Sequence, residues 1–232
     1  MSGAELYTDG GYLERNNNWH VQDSPWKAKQ ILRMLQKNNI QPSTVYEVGC
    51  GAGEVLNQLH QQMPPSAEFH GYDISPQAFQ LAKAREKDRL KFHQEDLLEK
   101  DISCDVLLMI DVVEHVEDYY SFLRKLKHKG EYKIVHLPLE LSVQGVLRMT
   151  PILQGRANVG HIHYFMKQTA LASLREAGYE IIDHFYTAGA IDLPSKSLKG
   201  SLMKLPRRLM FALDQDLAVR VLGGYSLLIL AR

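Results

Sequence analysis

The sequence predicts an α/β fold with a doubly wound, seven-stranded sheet that is mostly parallel and has an antiparallel last strand. Two observations support this fold class. From Val45 onward, short apolar runs alternate with segments whose apolar residues recur at helical spacing. This alternation is typical of a parallel sheet with helices on both faces. A cluster of glycines follows the first apolar run, at a strand-to-helix turn, where α/β sheets commonly bind ligands.

The predicted elements follow in order along the chain. The predicted strands are 44–48, 68–73, 90–96, 105–110, 131–137, 179–188 and 225–232, and the predicted helices are 26–38, 54–63, 76–87, 119–129 and 167–178. Ser24 is a suitable N-cap for the first helix, Pro25 suits its first turn, and Gly130 is expected to close the fourth helix. Residues 188–223 join the last two strands, which we expect to pair antiparallel.

Composition narrows the class of protein. The chain has 232 residues, of which 45% are hydrophobic and 23% charged, as in ordinary globular proteins. Lys plus Arg and Asp plus Glu number 27 each, so the basic excess of a nucleic-acid binder is missing and no nucleic-acid partner is expected. The first twenty residues lack a signal-like apolar run, and no run approaches 18 apolar residues. A cytoplasmic protein is therefore expected.

The stretch YEVGCGAGEVL places Gly49, Gly51 and Gly53 between the first strand and the first helix of the sheet. Missing Cβ atoms there allow a ligand to approach the backbone closely. The dinucleotide fingerprint is G-x-G-x-x-G, whereas here the third glycine comes one residue early and Glu47 precedes the set. A carboxylate would repel a pyrophosphate and suit a cationic ligand. S-adenosylmethionine is such a ligand, because it carries an ammonium and a sulfonium and no phosphate.

This glycine stretch resembles motif I of class I S-adenosylmethionine-dependent methyltransferases, and the resemblance extends over residues 42–187. It implies a Rossmann-like fold and S-adenosylmethionine as cofactor. In that family an acid at the end of the second strand binds the ribose hydroxyls. Asp73 in GYDISP stands at that place, twenty residues after Gly53. An acid at that spacing can accept two hydroxyl hydrogen bonds, whatever the family.

Further pieces of the cofactor site are implied by the same resemblance. The family has an acid near the adenine after the third strand, and HQEDLLE supplies Asp96 and Leu97 there. The segment beneath the methionine part of the cofactor follows the fourth strand, where DVLLMIDVVEHVED supplies Ile110 and Asp111. The full set of expected cofactor contacts is Glu47, Gly49, Cys50, Gly51, Gly53, Asp73, Ile74, Asp96, Leu97, Ile110 and Asp111, with Trp19 and Lys27 from the N-terminal extension.

Several of these residues also have purely structural interpretations. Glu47 could be a strand-end charge, and Asp96 could be a solvated loop acid. Asp73 could cap the helix that begins at Pro76, although Ser75 can serve that purpose. Cys50 is interpreted as a small buried residue of the turn without a catalytic role.

The segment after the fourth strand indicates which class of molecule accepts the methyl group. Methyltransferases acting on adenine or glutamine nitrogen resemble one another in an Asn/Asp-Pro-Pro-aromatic motif, and this chain has Asp111-Val-Val-Glu instead. DVVEHVED is similar to small-molecule enzymes such as ubiquinone-pathway and natural-product tailoring methyltransferases. The expected function is methyl transfer to a small molecule, with oxygen favoured. The alternatives are N- or C-methylation, or a cofactor-binding protein without transfer. The glycine spacing disfavours a nicotinamide dehydrogenase.

A hydroxyl acceptor would need a general base, and histidine suits that role near neutral pH. The insertion at 138–165 ends in His161-Ile-His163, which places both histidines on one face if the chain is extended. The candidates are His161, which we favour, His163, His115 and His20. His115 could instead be a structural residue at a helix start. A metal site at His161 and His163 is an alternative, since catechol-type methyltransferases use magnesium. Magnesium prefers oxygen ligands, and no matching acid cluster is evident, so no metal is expected.

No linker divides the chain, so one domain over residues 1–232 is expected. Within it, residues 1–41 form a helical extension, 42–187 the cofactor-binding core, 138–165 a substrate-pocket insertion and 188–232 the connection to the last strand. Trp19 and Trp26 in the extension are interpreted as part of a lid over the cofactor, or alternatively as core anchors. Residues 196–208 carry five basic side chains among leucines. A solvated helix face is favoured there, and contact with an anionic membrane surface is the alternative.

Overall fold

The computed structural model of the protein describes Trp19, residues 21–195 and residues 198–232. His20, residues 1–18 of the expected extension and Lys196 lie outside the described residues. Within the part described, no helix combines the length and the apolar character needed to cross a bilayer.

Seven strands form one sheet, as the sequence predicts. They are β1 (Thr44–Val48), β2 (Glu68–Tyr72), β3 (Leu90–His93), β4 (Cys104–Ile110), β5 (Gly130–Leu139), β6 (Ile181–Thr187) and β7 (Tyr225–Ala231). The order across the sheet is β3-β2-β1-β4-β5-β7-β6. The strands from β1 to β5 pair in parallel, whereas β7 lies antiparallel to both β5 and β6. This arrangement confirms the mostly parallel, doubly wound sheet.

Eleven helices are present among the described residues. They are α1 (Ser24–Lys37), α2 (Glu54–Gln62), α3 (Pro76–Lys83), α4 (Tyr119–Leu126), α5 (Val143–Arg148), α6 (Thr150–Gln154), α7 (Lys167–Glu176), α8 (Gly189–Asp192), α9 (Leu198–Leu202), α10 (Lys204–Leu213) and α11 (Gln215–Leu222). Two expectations about their ends were wrong. Ser24 is the first residue of α1 rather than its cap, since Asp23 stands at the N-cap without a side-chain bond. Gly130 does not close α4, which ends at Leu126, but begins β5.

Two hydrophobic cores lie on opposite faces of the sheet. Because side chains alternate along a strand, β4 sends Leu107 and Met109 into one core and Val106 and Leu108 into the other. The first core is completed by α4, α7 and α11, and the second by α1, α2 and α3. A central strand buried on both faces reads as a continuous apolar run, which explains the sequence DVLLMI.

The chain reverses its direction of winding between β1 and β4. From β1 it proceeds outward to β2 and β3, and β4 then returns to pair with the other edge of β1. Loops that leave β1 and β4 therefore diverge at the carboxyl edge of the sheet and open a crevice between them. This is the place at which open α/β sheets bind ligands.

The insertion after β5 contains regular structure. It begins with α5, where Ser142 Oγ accepts the Gly145 N–H at 3.0 Å. The chain then forms α6 and a short π-helical turn, Gly155–Val159. It reaches His161 at the crevice through Gly160, whose φ is +79°.

Candidate functional site

A cleft of about 600 Å³ opens at the carboxyl edge of β1, β2 and β4. The glycine turn, the loops after these strands, the start of α1 and the end of the insertion all contribute to its walls. Of the expected cofactor contacts, twelve line this cleft: Trp19, Lys27, Glu47, Gly49, Cys50, Gly51, Asp73, Ile74, Asp96, Leu97, Ile110 and Asp111. The sequence therefore brings together residues that lie up to 92 positions apart (19 to 111).

Gly53 is the expected contact that does not line the cleft. It has a φ of +75°, and a Cβ there would overlap the ring of Phe92 in β3 and approach Ala82 in α3. Its missing side chain thus permits close helix–strand packing rather than ligand approach. Gly51 differs, because its φ is +54° and a Cβ would stand 2.7 Å from Trp19 Cδ1. An indole ring lies directly over the backbone at the centre of the turn.

Asp73 holds the glycine turn to the end of β2. Its Oδ2 accepts the Gly51 N–H and its Oδ1 accepts the Ser75 N–H, both at 2.8 Å. Burial raises the pKa of Asp73, while the two N–H groups act in the opposite direction. The capping role belongs to Ser75, whose Oγ accepts the Ala78 N–H at 3.3 Å. Asp73 is thus a carboxylate that lines the cleft from a fixed position.

The loops after β2 and β3 contribute one wall of the cleft. Asp96 is exposed, and its Oδ1 accepts the Leu98 N–H at 2.9 Å, which caps the short 3₁₀ turn Leu97–Glu99. Leu97 is buried, whereas Ile74 is 49% exposed on the opposite loop. This wall combines apolar side chains with the carboxylates of Asp73, Glu95 and Asp96, a surface suited to a flat heterocycle with an exocyclic amine.

Glu47 is a buried carboxylate at the floor of the cleft. Its side chain is 2% exposed, and Oε2 has no hydrogen-bond partner among the described residues. Burial raises the pKa of Glu47 to about 8, against the opposing charge of Lys27 and with the help of Asp73 and Asp111. A solvated strand-end charge would not behave in this way. No described side chain donates a hydrogen bond to Oε2, and a ligand ammonium would supply a direct cationic partner.

Asp111 is the centre of a compensated charge network. It has a φ of +51°, and its carboxylate lies 2.6 Å from Lys27 Nζ and 2.5 Å from His136 Nδ1. His136 Nε2 lies 2.9 Å from Thr187 Oγ1. Burial alone would raise the pKa of Asp111, but His136 and Lys27 hold it well below its usual range. The network fixes α1 against the carboxyl ends of β4 and β5.

The two tryptophans of the extension both line the cleft and are only half-buried. Trp26 Nε1 donates to Asp192 Oδ2 at 3.1 Å, and its ring meets that of His136 edge-on. Trp19 lies over Gly51 as described above. Neither residue belongs to the two cores, so the interpretation as core anchors is not supported.

The candidate histidines have different surroundings. His115 and His161 line the cleft, with ring centroids 4.9 Å apart. His163 does not line it, since its Nε2 lies 2.9 Å from the Val116 carbonyl oxygen and its ring packs against Tyr119. The expected single face of His161 and His163 is therefore not formed. His163 ties the segment to the loop after β4.

Glu114 and Glu140 are site residues that the sequence reasoning missed. Glu114 is fully buried, and neither carboxylate oxygen has a partner in the described part of the chain. Burial, and then the charge of Asp111, raise the pKa of Glu114 well above its usual range. Glu140 Oε1 lies 3.0 Å from His161 Nδ1. The signal for Glu114 was its place beside His115 just after β4, and for Glu140 its place at the end of β5.

Comparison with protein families finds one match over most of the chain. A family described as a methyltransferase domain matches residues 19–184. Comparison with curated proteins finds no match.

Solved structures of similar fold extend over nearly the whole chain. Magnesium protoporphyrin IX methyltransferase from Synechocystis PCC 6803, with bound S-adenosylmethionine, has a TM-score of 0.61 at 16% identity and covers 98% of this chain and 93% of its own. A chain in the complex of the Haloferax volcanii Trm112 methyltransferase activator has a TM-score of 0.65 at 16% identity, and the match covers 100% of this chain and 96% of that chain. N-methyltransferase NodS from Bradyrhizobium japonicum, with S-adenosylhomocysteine, has a TM-score of 0.55 at 16% identity, and the match covers 89% of this chain and 85% of that chain.

Proposed function

The chain belongs to the methyltransferase-domain family and is a class I S-adenosylmethionine-dependent methyltransferase, and on that premise we propose that its cleft methylates an oxygen atom of a small molecule. The observation that supports this proposal most strongly is the shared cleft. The glycine turn and the histidines His115 and His161 line the same cavity. Cofactor and acceptor can therefore meet without movement of the sheet.

We assign the cofactor to the half of the cleft around the glycine turn. Asp73 would accept hydrogen bonds from the ribose hydroxyls, and Asp96 with Leu97 would hold the adenine. Glu47 would take the ammonium of the methionine part, since its carboxyl group is buried and Oε2 has no hydrogen-bond partner among the described residues. Ile110 and Asp111 would lie beneath that part, and Trp19 would exclude water from the sulfonium.

The reaction is a displacement at the methyl carbon. The acceptor atom attacks, the carbon–sulfur bond breaks, and its electron pair stays on sulfur to give S-adenosylhomocysteine. A sulfonium is already a good leaving group, so the protein must chiefly align acceptor, methyl and sulfur. Alignment of this kind can lower a barrier by roughly 7–11 kcal/mol. A hydroxyl must also lose its proton, and His115 and His161 are the candidate bases, because the other basic groups of the cleft wall, Lys27 and His136, contact Asp111.

Oxygen is proposed as the acceptor atom because basic nitrogens lie beside the cleft, and N- or C-methylation is the alternative. The test supplies S-adenosylmethionine with a panel of phenols, alcohols and amines of matched size. S-adenosylhomocysteine release is followed, and the methylated atom is identified by NMR. We expect turnover with hydroxylated compounds. Turnover confined to amines would contradict the assignment to oxygen, and absence of turnover with any acceptor would favour a cofactor-binding protein.

The substrate pocket is proposed to be formed by the insertion at 138–165, within a domain that spans residues 1–232. Residues 42–187 would supply the cofactor half and the extension a lid. Residues 188–232 would complete the sheet and support the insertion, since α11 packs against α5.

Helices α9 and α10 expose several leucines to solvent, whereas a solvated helix face carries mainly polar side chains. The exposed fractions are 85% for Leu198, 76% for Leu202, 64% for Leu205, 59% for Leu209 and 89% for Leu213. Leu205, Leu209 and Leu213 are four residues apart and therefore share one face of α10, while Leu198 and Leu202 share one face of α9. The α10 segment KLPRRLMFAL carries three basic residues and no acidic one. An apolar stripe with basic neighbours suits an anionic lipid surface.

We therefore propose that α9 and α10 contact anionic membranes, which would suit a lipid-like acceptor. The test is co-sedimentation with phosphatidylserine–phosphatidylcholine vesicles and with phosphatidylcholine vesicles alone. We expect binding to the anionic vesicles that weakens with salt, and its loss in Leu205→Glu with Leu209→Glu. Ile182→Glu, which places a charge at another exposed apolar site, is the control. Equal sedimentation of the double variant and the control would contradict this assignment.

A further inference from the structure

We propose that Glu114, His115 and His161, here named the Glu-His-His cluster, bind a divalent transition-metal ion at the wall of the cleft. One potential ligand atom from each of the three residues lies within 4.8 Å of the others. Ligand atoms around tetrahedral zinc are about 3.3 Å apart, given metal–ligand distances near 2.0–2.1 Å. The cluster would therefore need to contract by up to about 1.5 Å around an ion.

The two imidazoles are held by partners typical of metal-bound histidines. His115 Nδ1 lies 3.1 Å from the Gly160 carbonyl oxygen, to which an N–H there would donate. His161 Nδ1 lies 3.0 Å from Glu140 Oε1 without hydrogen-bond geometry, and the carboxylate charge there would favour a proton on Nδ1. A proton on Nδ1 of each ring would leave Nε2 as the ligand atom. Carbonyl or carboxylate partners commonly fix ligating histidines in this way.

Glu114 gives the independent indication that a cation is expected here. Its side chain is 0% exposed and both carboxylate oxygens lack a partner in the described structure. A buried carboxylate without a hydrogen bond or counter-ion is strongly disfavoured. The nearby basic side chains Lys27 and His136 contact Asp111 directly and leave Glu114 without a hydrogen bond. A bound divalent ion would satisfy Glu114 and bring the ring nitrogens to a common centre.

The ligand set indicates the class of ion. One carboxylate oxygen and two imidazole nitrogens suit zinc, manganese, iron or cobalt, whereas magnesium prefers oxygen ligands alone. Three protein ligands leave at least one coordination position open, as in catalytic zinc sites. Because His115 and His161 line the cleft, that open position would be reached from the cleft.

The consequence for chemistry rests on the proposed function. An acceptor hydroxyl bound at the open position would have its pKa lowered, and its proton would pass to solvent. The resulting oxygen anion would attack the methyl carbon while the carbon–sulfur bond breaks. With their lone pairs committed to the ion, His115 and His161 would serve as ligands rather than as bases. The sequence-based expectation of no metal would then be wrong.

The test uses the full chain, stripped with EDTA and titrated with Co²⁺ and Zn²⁺. We expect one equivalent of Co²⁺ to bind with visible d–d absorption, Zn²⁺ to displace it, and the melting temperature to rise. Glu114→Gln and His161→Gln should each weaken Co²⁺ binding at least tenfold. His163→Gln is the matched control, because His163 lies outside the cleft lining, and it should bind Co²⁺ like the wild type.

The outcomes separate this proposal from the proposed function. S-adenosylhomocysteine binding, measured on the same samples, checks that each variant keeps its fold and cofactor site. Cofactor binding and methyl transfer that persist without any Co²⁺ or Zn²⁺ binding would overturn the metal site and leave the function standing. Stoichiometric metal binding without methyl transfer to any acceptor would support the metal site and overturn the proposed function. Binding reduced equally by His163→Gln and His161→Gln would show that the cluster is not the site.

Discussion

Lys27 Nζ lies 2.6 Å from Asp111 Oδ2, so the first turn of α1 is joined to the loop after β4. The two side chains are 18% and 26% exposed, which means that solvent screens the pair only partly. Asp111 also contacts His136 in β5. One carboxylate therefore connects the N-terminal extension to the two central strands that carry the cleft.

Replacing Lys27 by Met should destabilise the fold, because Asp111 would lose its lysine partner and keep only the ring of His136 in the described network. Loss of a hydrogen-bonded, mostly buried charge partner costs about 1–3 kcal/mol. Lys37→Met is the matched control, since Lys37 pairs with Asp183 while its side chain is 54% exposed, and exposed pairs contribute roughly 0–1 kcal/mol. Urea unfolding measures both. Equal losses in the two variants would contradict a structural role for the Lys27–Asp111 pair.

The glycine turn illustrates how far the sequence could predict this site. The glycine spacing predicts a ligand-binding turn between the first strand and the next helix. In the structure Gly49, Gly51 and Gly53 form this turn, and all three have a positive φ. Spacing could not distinguish Gly51, which faces Trp19, from Gly53, which packs on Phe92. That distinction depends on which side chains the tertiary fold brings to each glycine.

The roles of His136 and Glu114 could not be predicted from the sequence, because they depend on which charged side chains lie next to them in the fold. His136 lies within the apolar strand β5, and Glu114 follows β4 within the DVVEHVED segment. Whether a buried acid has a partner depends on contacts between distant segments, such as Lys27 with Asp111. Apolar periodicity predicts strands and helices well because it reflects local geometry, but it contains no information on such pairs.

Glu47 should make the ligand-free protein less stable as the pH rises. Its folded-state pKa is raised to about 8 from an ordinary value of 4.5. Above the ordinary value the unfolded chain loses the proton that the folded chain retains, so stability falls until the folded-state pKa is passed. Between pH 5.5 and 7.5 this amounts to about 2–3 kcal/mol.

Glu47→Gln should remove that part of the pH dependence, and urea unfolding at the two pH values measures the difference. Binding of S-adenosylhomocysteine to the wild type at neutral pH should release a proton, because its ammonium favours the ionised carboxylate. Calorimetry in phosphate and in Tris detects the release. An unchanged pH slope in Glu47→Gln would show that Glu47 does not retain its proton in the folded state.

Trp19 should respond to cofactor if the extension is a lid. Its ring lies over Gly51, and we expect S-adenosylhomocysteine to slow hydrogen exchange in residues 21–29. Trp19→Ala should weaken binding by about 1 kcal/mol, the scale of one aromatic contact. Exchange in α10 is the internal control and should not change. Equal exchange of residues 21–29 with and without cofactor would argue against the lid.

His161 and His163 should differ sharply in their effect on turnover. His161→Asn should lower kcat by about 10²-fold or more, whether the histidine acts as a base or as a metal ligand. His163→Asn should retain most of the activity, because its ring contacts the Val116 carbonyl outside the cleft lining. Cofactor affinity is measured in parallel. A larger loss of kcat in His163→Asn than in His161→Asn would refute this assignment.

Calorimetric titration with S-adenosylhomocysteine tests the central claim, that the cleft at the carboxyl edge of β1 and β2 holds the cofactor. We expect one equivalent to bind the wild type. Asp73→Ala should weaken binding at least tenfold, because hydrogen bonds to a charged group contribute about 1.5–3 kcal/mol each. Asp101→Ala, which removes an exposed carboxylate away from the cleft, should bind like the wild type. Failure of the wild type to bind, or equal affinities in the two variants, would contradict the account.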